Sequence, residues 1–76
     1  MERLYEILED IQPGVNYKEC ETLVDGHFLD SLSIIALVAE LEDEYDIPTP
    51  AVEIIPANFN SAKAMWKMIQ RLEEVD

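Results

Sequence analysis

The chain has 76 residues, with 17 Asp and Glu against 5 Lys and Arg, and a formal net charge of −12. This length accommodates one domain with one core, and a hydrophobic content of 49% is too high for a disordered tail. Strong negative charge repels nucleic acid, and no apolar run reaches the ~18 residues of a membrane span. We therefore expect one soluble domain over residues 1–76, monomeric and cytoplasmic, that binds no nucleic acid and does not insert into membranes.

The negative charge is concentrated in one interval. Between Lys18 and Lys63 there is no Lys or Arg, while ten acids occur there. They are Glu19, Glu21, Asp25, Asp30, Glu40, Glu42, Asp43, Glu44, Asp46 and Glu53. A surface of one sign attracts basic partners over long distances. Composition leaves two interpretations open, namely a solubilising face and a non-covalent acidic adaptor that binds a basic protein surface.

The N-terminal segment predicts an amphipathic helix, because apolar residues recur at helical spacing until Pro13 and Gly14 end the pattern. These residues are Leu4, Ile7, Leu8 and Ile11. Residues 12–30 lack a sustained period and predict a long loop. We expect apolar side chains to anchor this loop to the core, namely Val15, Tyr17, Leu23, Val24, Phe28 and Leu29.

From Leu32 the pattern predicts a second helix of about four turns, with Asp30 or Ser31 as its N-cap. We expect Leu32 and Ile35 in its buried stripe, followed by Val38 or Ala39 and then Leu41 or Tyr45. Leu32 would then anchor the first turn in the core.

This helix is apolar on more than one side near its start, because Ile34, Ala36 and Leu37 accompany the predicted stripe. We therefore expect an exposed apolar shoulder on the first half and a solvated acidic face from Glu40 onward.

The remaining segment predicts two more helices. Thr49 as N-cap with Pro50 at the first position predicts a short helix through Ile55, which Pro56 stops. Asn60 or Ser61 caps the last helix, whose stripe is Ala62, Met65, Trp66, Ile69 and Leu72. Three full helices, one short helix and no convincing strand predict an all-α, small four-helix bundle.

Asp30-Ser31-Leu32 stands where the long loop meets the second helix. A Ser hydroxyl there lies at the positive end of the helix dipole, so a phosphate ester on it would be close to free backbone N–H groups. On these three residues alone, a plain Ser or Asp N-cap is the favoured interpretation, because the tripeptide is short and common.

The wider pattern resembles the acyl carrier protein family. Phe28-Leu29-Asp30-Ser31-Leu32 precedes an apolar helix, and the run from Glu40 to Ile47 is acidic with an aromatic residue near its end. Chain length, helix order, the long first loop and acidity match this family over the whole chain. The segment Pro56-Ala57-Asn58-Phe59-Asn60-Ser61 is similar to stand-alone carriers related to D-alanyl carrier proteins.

The resemblance implies that Ser31 receives 4′-phosphopantetheine from coenzyme A, attached covalently by a phosphopantetheinyl transferase that needs Mg²⁺. The terminal thiol of that arm would hold an acyl or aminoacyl group as a thioester. Asp30 would help position the metal in the transferase complex. Other implied partners are an acyl- or aminoacyl-activating ligase and an acyltransferase or synthase. The carrier itself would not be an enzyme.

The chain departs from the family pattern at Ala36, where many members have Glu. Recognition would therefore depend more on apolar contact. We expect the partner-binding surface to comprise Leu32, Ile34, Ile35, Ala36, Leu37 and Glu40. Service by a dedicated activating enzyme fits this departure better than the partner set of fatty-acid synthesis.

Other residues offer little chemistry. His27 has no second His or nearby Cys to complete a metal site, and the acids at 40–46 lack calcium-loop spacing. Cys20 is expected to be a small buried or half-buried residue. With two Gly and no nucleophile–base–acid set, we expect neither a catalytic residue nor a bound metal.

Overall fold

The computed structural model describes residues 1–74, which consist of helices joined by loops and turns. The elements are α1 (Glu2–Ile11), α2 (Ser31–Tyr45), a 3-10 turn (Ala51–Glu53), α3 (Pro56–Phe59) and α4 (Ala62–Glu73). Three long helices and one short helix confirm the predicted all-α bundle. None of the helices in this described part combines the length and apolar character that crossing a bilayer requires.

The core lies where the three long helices meet. α1 packs against α2 and α4, α2 also packs against α4, and α3 packs against α4. The buried apolar side chains are Leu4, Ile7, Leu8, Tyr17, Leu23, Leu29, Leu37, Leu41, Ile47, Phe59, Ala62, Met65, Met68, Ile69 and Leu72. Burying a large aliphatic or aromatic side chain contributes about 1.5–3 kcal/mol each, so this cluster is the main source of stability.

The rotation of α2 about its axis differs from the predicted one. Leu37 and Leu41 are fully buried, whereas Leu32 is 77% exposed and Ile35 is 66% exposed. The predictions that Leu32 anchors the first turn in the core and that Ile35 belongs to the buried stripe are therefore wrong. α2 carries two apolar stripes, and its contacts with α1 and α4 bury the one that contains Leu37. The exposed apolar shoulder exists, but Leu37 is not part of it.

The segment between α2 and α4 also differs from the prediction. The expected short helix from Pro50 to Ile55 is a single 3-10 turn with Pro50, not Thr49, as its N-cap. Pro56 begins α3 instead of stopping a helix. Proline suits the first helical position because its missing N–H would be unpaired there and its φ is already helical.

Glu53 fastens this segment to α4. Arg71 Nη1 lies 2.8 Å from both carboxylate oxygens of Glu53. Asn58 Nδ2 donates to the Glu53 carbonyl at 2.7 Å and to its Oε1 at 3.1 Å. The 3-10 turn and α3 are thus tied together and to the last helix through one side chain.

Residues 12–30 form the predicted long loop. Its buried anchors are Tyr17, Leu23 and Leu29. The Tyr17 hydroxyl donates to the carbonyls of Leu8 and Gln12 at the end of α1, and burial raises the pKa of Tyr17 to about 12. Phe28, expected among the anchors, is 44% exposed. The loop is therefore fastened to α1 at its start and to the core near its end.

The last helix begins at the second of its two predicted caps. Ser61 is its N-cap, and Ser61 Oγ accepts a hydrogen bond from the Ala64 N–H at 3.0 Å. Trp66, expected in the core, is half-buried and packs edge-to-face against Tyr45 of α2, with ring centroids 5.9 Å apart. α2 and α4 are therefore joined by an aromatic pair near the C-terminal end of α2.

Ile69→Ala is expected to lower the free energy of unfolding by about 2–5 kcal/mol, because it removes a fully buried side chain. Leu32→Ala is expected to change it by less than about 0.5 kcal/mol, because Leu32 is exposed. Urea unfolding followed by circular dichroism measures both. A loss at Leu32 as large as that at Ile69 would show that α2 packs with a different face.

Candidate functional site

Ser31 is the first residue of α2 and follows the N-cap residue Asp30. Asp30 has an extended backbone, and its Oδ1 accepts a hydrogen bond from the Ser33 N–H at 2.8 Å. The Asp30 carbonyl accepts a hydrogen bond from the Ile34 N–H at 2.9 Å. The capping function thus belongs to Asp30, and Ser31 lies exposed at the head of the helix.

The Asp30 carboxylate occupies the positive end of α2. Hydrogen bonds from Ser33, first of all from its backbone N–H, lower the pKa of the Asp30 carboxyl, so it is ionised at neutral pH. The helix end expected to favour a phosphate therefore already has an anion. A phosphate ester on Ser31 would add negative charge beside that carboxylate, so its charge would be oriented toward solvent and not toward the backbone N–H groups that Asp30 already caps.

An open apolar groove of about 290 Å³ lies beside Ser31. The first turns of α2 and the chain that enters α3 contribute most of its lining. The lining residues are Val24, Ser31, Ile34, Ile35, Ile54, Ile55, Pro56 and Phe59. Ser31 is the single polar residue among them, so the groove suits an apolar chain and has little to offer a charged group.

Large hydrophobic side chains are exposed around this part of the chain. They come from the loop before Ser31, the start of α2 and the segment before α3, namely Phe28, Leu32, Ile35, Val52, Ile54 and Ile55. Exposed apolar side chains grouped near a groove mark a ligand or partner site more often than they serve stability.

The exposed face of α2 has two zones. Leu32, Ile35 and Ala36 form an apolar zone in the first two turns, and Glu40 opens an acidic zone that continues to the C-terminal end. Of the expected partner-binding residues, these four are exposed. Ile34 is half-buried and lines the groove, and Leu37 is fully buried and unavailable for contact with a partner because it packs in the core.

Five groove residues are not among the site residues predicted from the sequence, namely Val24, Ile54, Ile55, Pro56 and Phe59. A signal was present, because Val52, Ile54 and Ile55 are close together in a segment too short to bury them all. The prediction of a regular helix ended by Pro56 was incompatible with this signal. If Pro56 is instead the first residue of a helix, Ile54 and Ile55 lie in an irregular segment where they are exposed.

The other candidates remain apart from the groove lining. Cys20 is half-buried, as expected, with its Sγ 3.8 Å from Thr22 Oγ1. His27 is exposed in the loop with a positive φ of 63°. Within residues 1–74 no group of three or more His, Cys, Asp or Glu side chains is placed to hold a metal ion.

Comparison with known proteins gives one informative relative. Aminoacyl carrier protein 2 of Bradyrhizobium diazoefficiens is 44% identical to this chain over 41 residues, which are 54% of the chain and 46% of the relative. The match thus spans less than half of the relative's length. No family model matches the chain. The similarity, together with the helical bundle, supports a protein of the acyl-carrier type and a carrier role in general.

The Asp30 cap is expected to make stability depend on acid. Because the folded-state pKa of Asp30 is lowered, its contribution is present above the ordinary value of 3.8 and is lost as pH falls through the folded-state pKa. Asp30→Ala should therefore be less stable than wild type at pH 6, and the gap should close below pH 3.8. Urea midpoints at several pH values test this. A gap that stays constant with pH would contradict the assigned cap.

Proposed function

We propose that this protein carries an acyl or aminoacyl group as a thioester on a 4′-phosphopantetheine arm attached to Ser31. The observation that carries the proposal is the exposed Ser31 at the head of α2, between an apolar groove and an apolar helix face. The similarity to an aminoacyl carrier protein supports it independently. The alternative, a non-covalent acidic adaptor, accounts for the charge but gives no role to the groove.

The residues present fit such an arm. Ser31 is exposed, which a transferase requires, and the groove beside it offers an apolar surface for an attached chain. Asp30, ionised next to Ser31, supplies an oxygen ligand suited to the Mg²⁺ of the transferase complex. When attached, the arm supplies a thiol that forms and releases thioesters.

In the proposed attachment, the Ser31 hydroxyl would lose its proton to a base of the transferase. Its oxygen would form an ester bond to the pantetheine-side phosphorus of coenzyme A, and the pyrophosphate P–O bond of coenzyme A would break to release 3′,5′-ADP. The carrier chain contributes position alone, because catalysis belongs to the phosphopantetheinyl transferase. Asp30 holds the helix start in place through its bond to Ser33 while Ser31 reacts.

The partners then fall into three classes: the transferase, an acyl- or aminoacyl-activating ligase, and an acyltransferase or synthase. We propose that they recognise the apolar zone of α2 first, with Glu40 and the following acids attracting basic surfaces. An aminoacyl group is the first candidate for the cargo, because the relative is named an aminoacyl carrier. A fatty acyl or polyketide-type group is the second.

Co-expression with a broad-specificity phosphopantetheinyl transferase tests attachment. We expect the intact mass of the wild type to rise by one phosphopantetheine group, and Ser31→Ala to show no rise. Ser33→Ala is the matched control, because Ser33 lies in the same first turn of α2. This variant keeps Ser31 and is expected to gain the same mass as the wild type. Failure of the wild type to gain mass, or gain by Ser31→Ala, overturns the proposal. Salt-sensitive binding of a basic partner that persists in Ser31→Ala would favour the adaptor.

The apolar recognition zone can be tested separately. Ile35→Ser should raise the KM of the activating ligase for the carrier about tenfold, as expected for loss of a central apolar contact. The free energy of unfolding should change little, because Ile35 is exposed. Val52→Ser is the matched control, since Val52 is also an exposed apolar residue, 78% against 66% for Ile35, but lies outside α2. Steady-state loading of the two variants compares them. Equal effects of both changes would argue against recognition through α2.

A further inference from the structure

Asn60, the residue that follows α3, makes four hydrogen bonds to the loop that precedes Ser31. Its carbonyl accepts from the Leu23 N–H at 2.9 Å. Its Oδ1 accepts from the Val24 and Asp25 N–H groups, each at 3.0 Å, and its Nδ2 donates to Asp25 Oδ2 at 3.1 Å. One side chain and one carbonyl therefore hold three consecutive loop residues against the junction of α3 and α4.

A further backbone hydrogen bond connects this part of the loop to the start of α2. The Leu23 carbonyl accepts a hydrogen bond from the Leu29 N–H at 2.9 Å, and both side chains are buried. Leu29 immediately precedes Asp30, so the loop is closed one residue before the N-cap. Gly26 keeps this loop tight, because a Cβ there would lie 2.7 Å from the Thr22 carbonyl oxygen.

The same contacts define one wall of the groove. Val24, held by Asn60 Oδ1, lines the groove together with Ser31. α3, which ends at Phe59 directly before Asn60, lines it from another side. Asn60 thus lies between two parts of the wall and bonds to the loop part.

We propose that Asn60 is a positioning residue that sets the place of Ser31 and of the groove wall for the transferase. This inference rests on the proposed function. An amide is required because two roles must be met at once: the oxygen accepts from two N–H groups, and the nitrogen donates to a carboxylate. An aspartate of the same shape meets the first role and turns the second into repulsion.

The requirement for opposite polarity gives a sharp test. Asn60→Asp brings a carboxylate against that of Asp25. Asp25→Asn alone keeps an acceptor for the Asn60 amide and should behave as wild type. The double variant with Asp25→Asn and Asn60→Asp restores a donor and an acceptor in reversed order, while the new carboxylate still accepts from the two loop N–H groups.

Asn58→Asp is the matched control. It makes the same change two residues earlier, within α3, and also brings a carboxylate against an acid, Glu53, whose Oε1 is 3.1 Å from Asn58 Nδ2. It leaves every bond to residues 23–29 in place. A rise in KM caused merely by charge repulsion near α3 would therefore appear in both Asn60→Asp and Asn58→Asp.

Two measurements are made on each variant. Amide hydrogen exchange of Leu23, Val24, Asp25 and Leu29 is compared with exchange in α1. Loading of Ser31 by the transferase is measured as kcat and KM. In Asn60→Asp we expect the loop amides to exchange about tenfold faster and KM to rise by a similar factor, as expected when the charge-assisted bond to Asp25 is replaced by repulsion between two carboxylates. The double variant should return to within about twofold of wild type on both.

The outcomes separate the two proposals. If the wild type is not loaded at all, the carrier function itself fails. If the wild type is loaded and Asn60→Asp is loaded equally well despite faster loop exchange, the positioning role is wrong. A double variant no better than Asn60→Asp, or an Asn58→Asp variant with the same rise in KM, also overturns it.

Discussion

The burial of Leu37 and Leu41 between α1 and α4 is the constraint on which the rest of the structure depends. A helix has 3.6 residues per turn, so choosing these two for the core turns Leu32 and Ile35 outward. The same choice places Ile34 and Ile35 beside the chain that enters α3, where the groove forms. Core packing on one side of α2 thereby leaves the exposed apolar surface and the groove wall on the other.

Local signals in the sequence predicted much of the fold but not the rotation of α2. The caps at Asp30 and Ser61 and the buried Ile69 follow from residue chemistry within one or two turns. Leu32 and Leu37 were assigned to the wrong sides because two apolar stripes have the same periodicity and only tertiary contacts choose between them. The sequence indicates only a possible helix cap at Asn60, because the hydrogen-bond partners of its side chain lie 35 and 36 residues away along the chain.

Charge and apolar surface are separated along α2, and each has a physical cost. Acids near the C-terminal end of a helix oppose its dipole, and Arg3 pairs with one of them, Glu44, at 2.8 Å. Leu32 and Ile35 are exposed and therefore contribute little hydrophobic stabilisation to the fold. An arrangement that sacrifices stability in two ways on one helix is typical of a surface selected for binding, and it agrees with a carrier that must meet several enzymes in turn.

The edge-to-face contact between Trp66 and Tyr45 gives the protein an intrinsic optical reporter. The chain has one Trp, and its half-buried indole touches α2 at the end far from Ser31. Its emission reports whether α2 and α4 stay together, without a dye or an added label. Events confined to the head of α2 are expected to leave that emission unchanged, so fluorescence should distinguish local loosening around Ser31 from separation of α2 and α4.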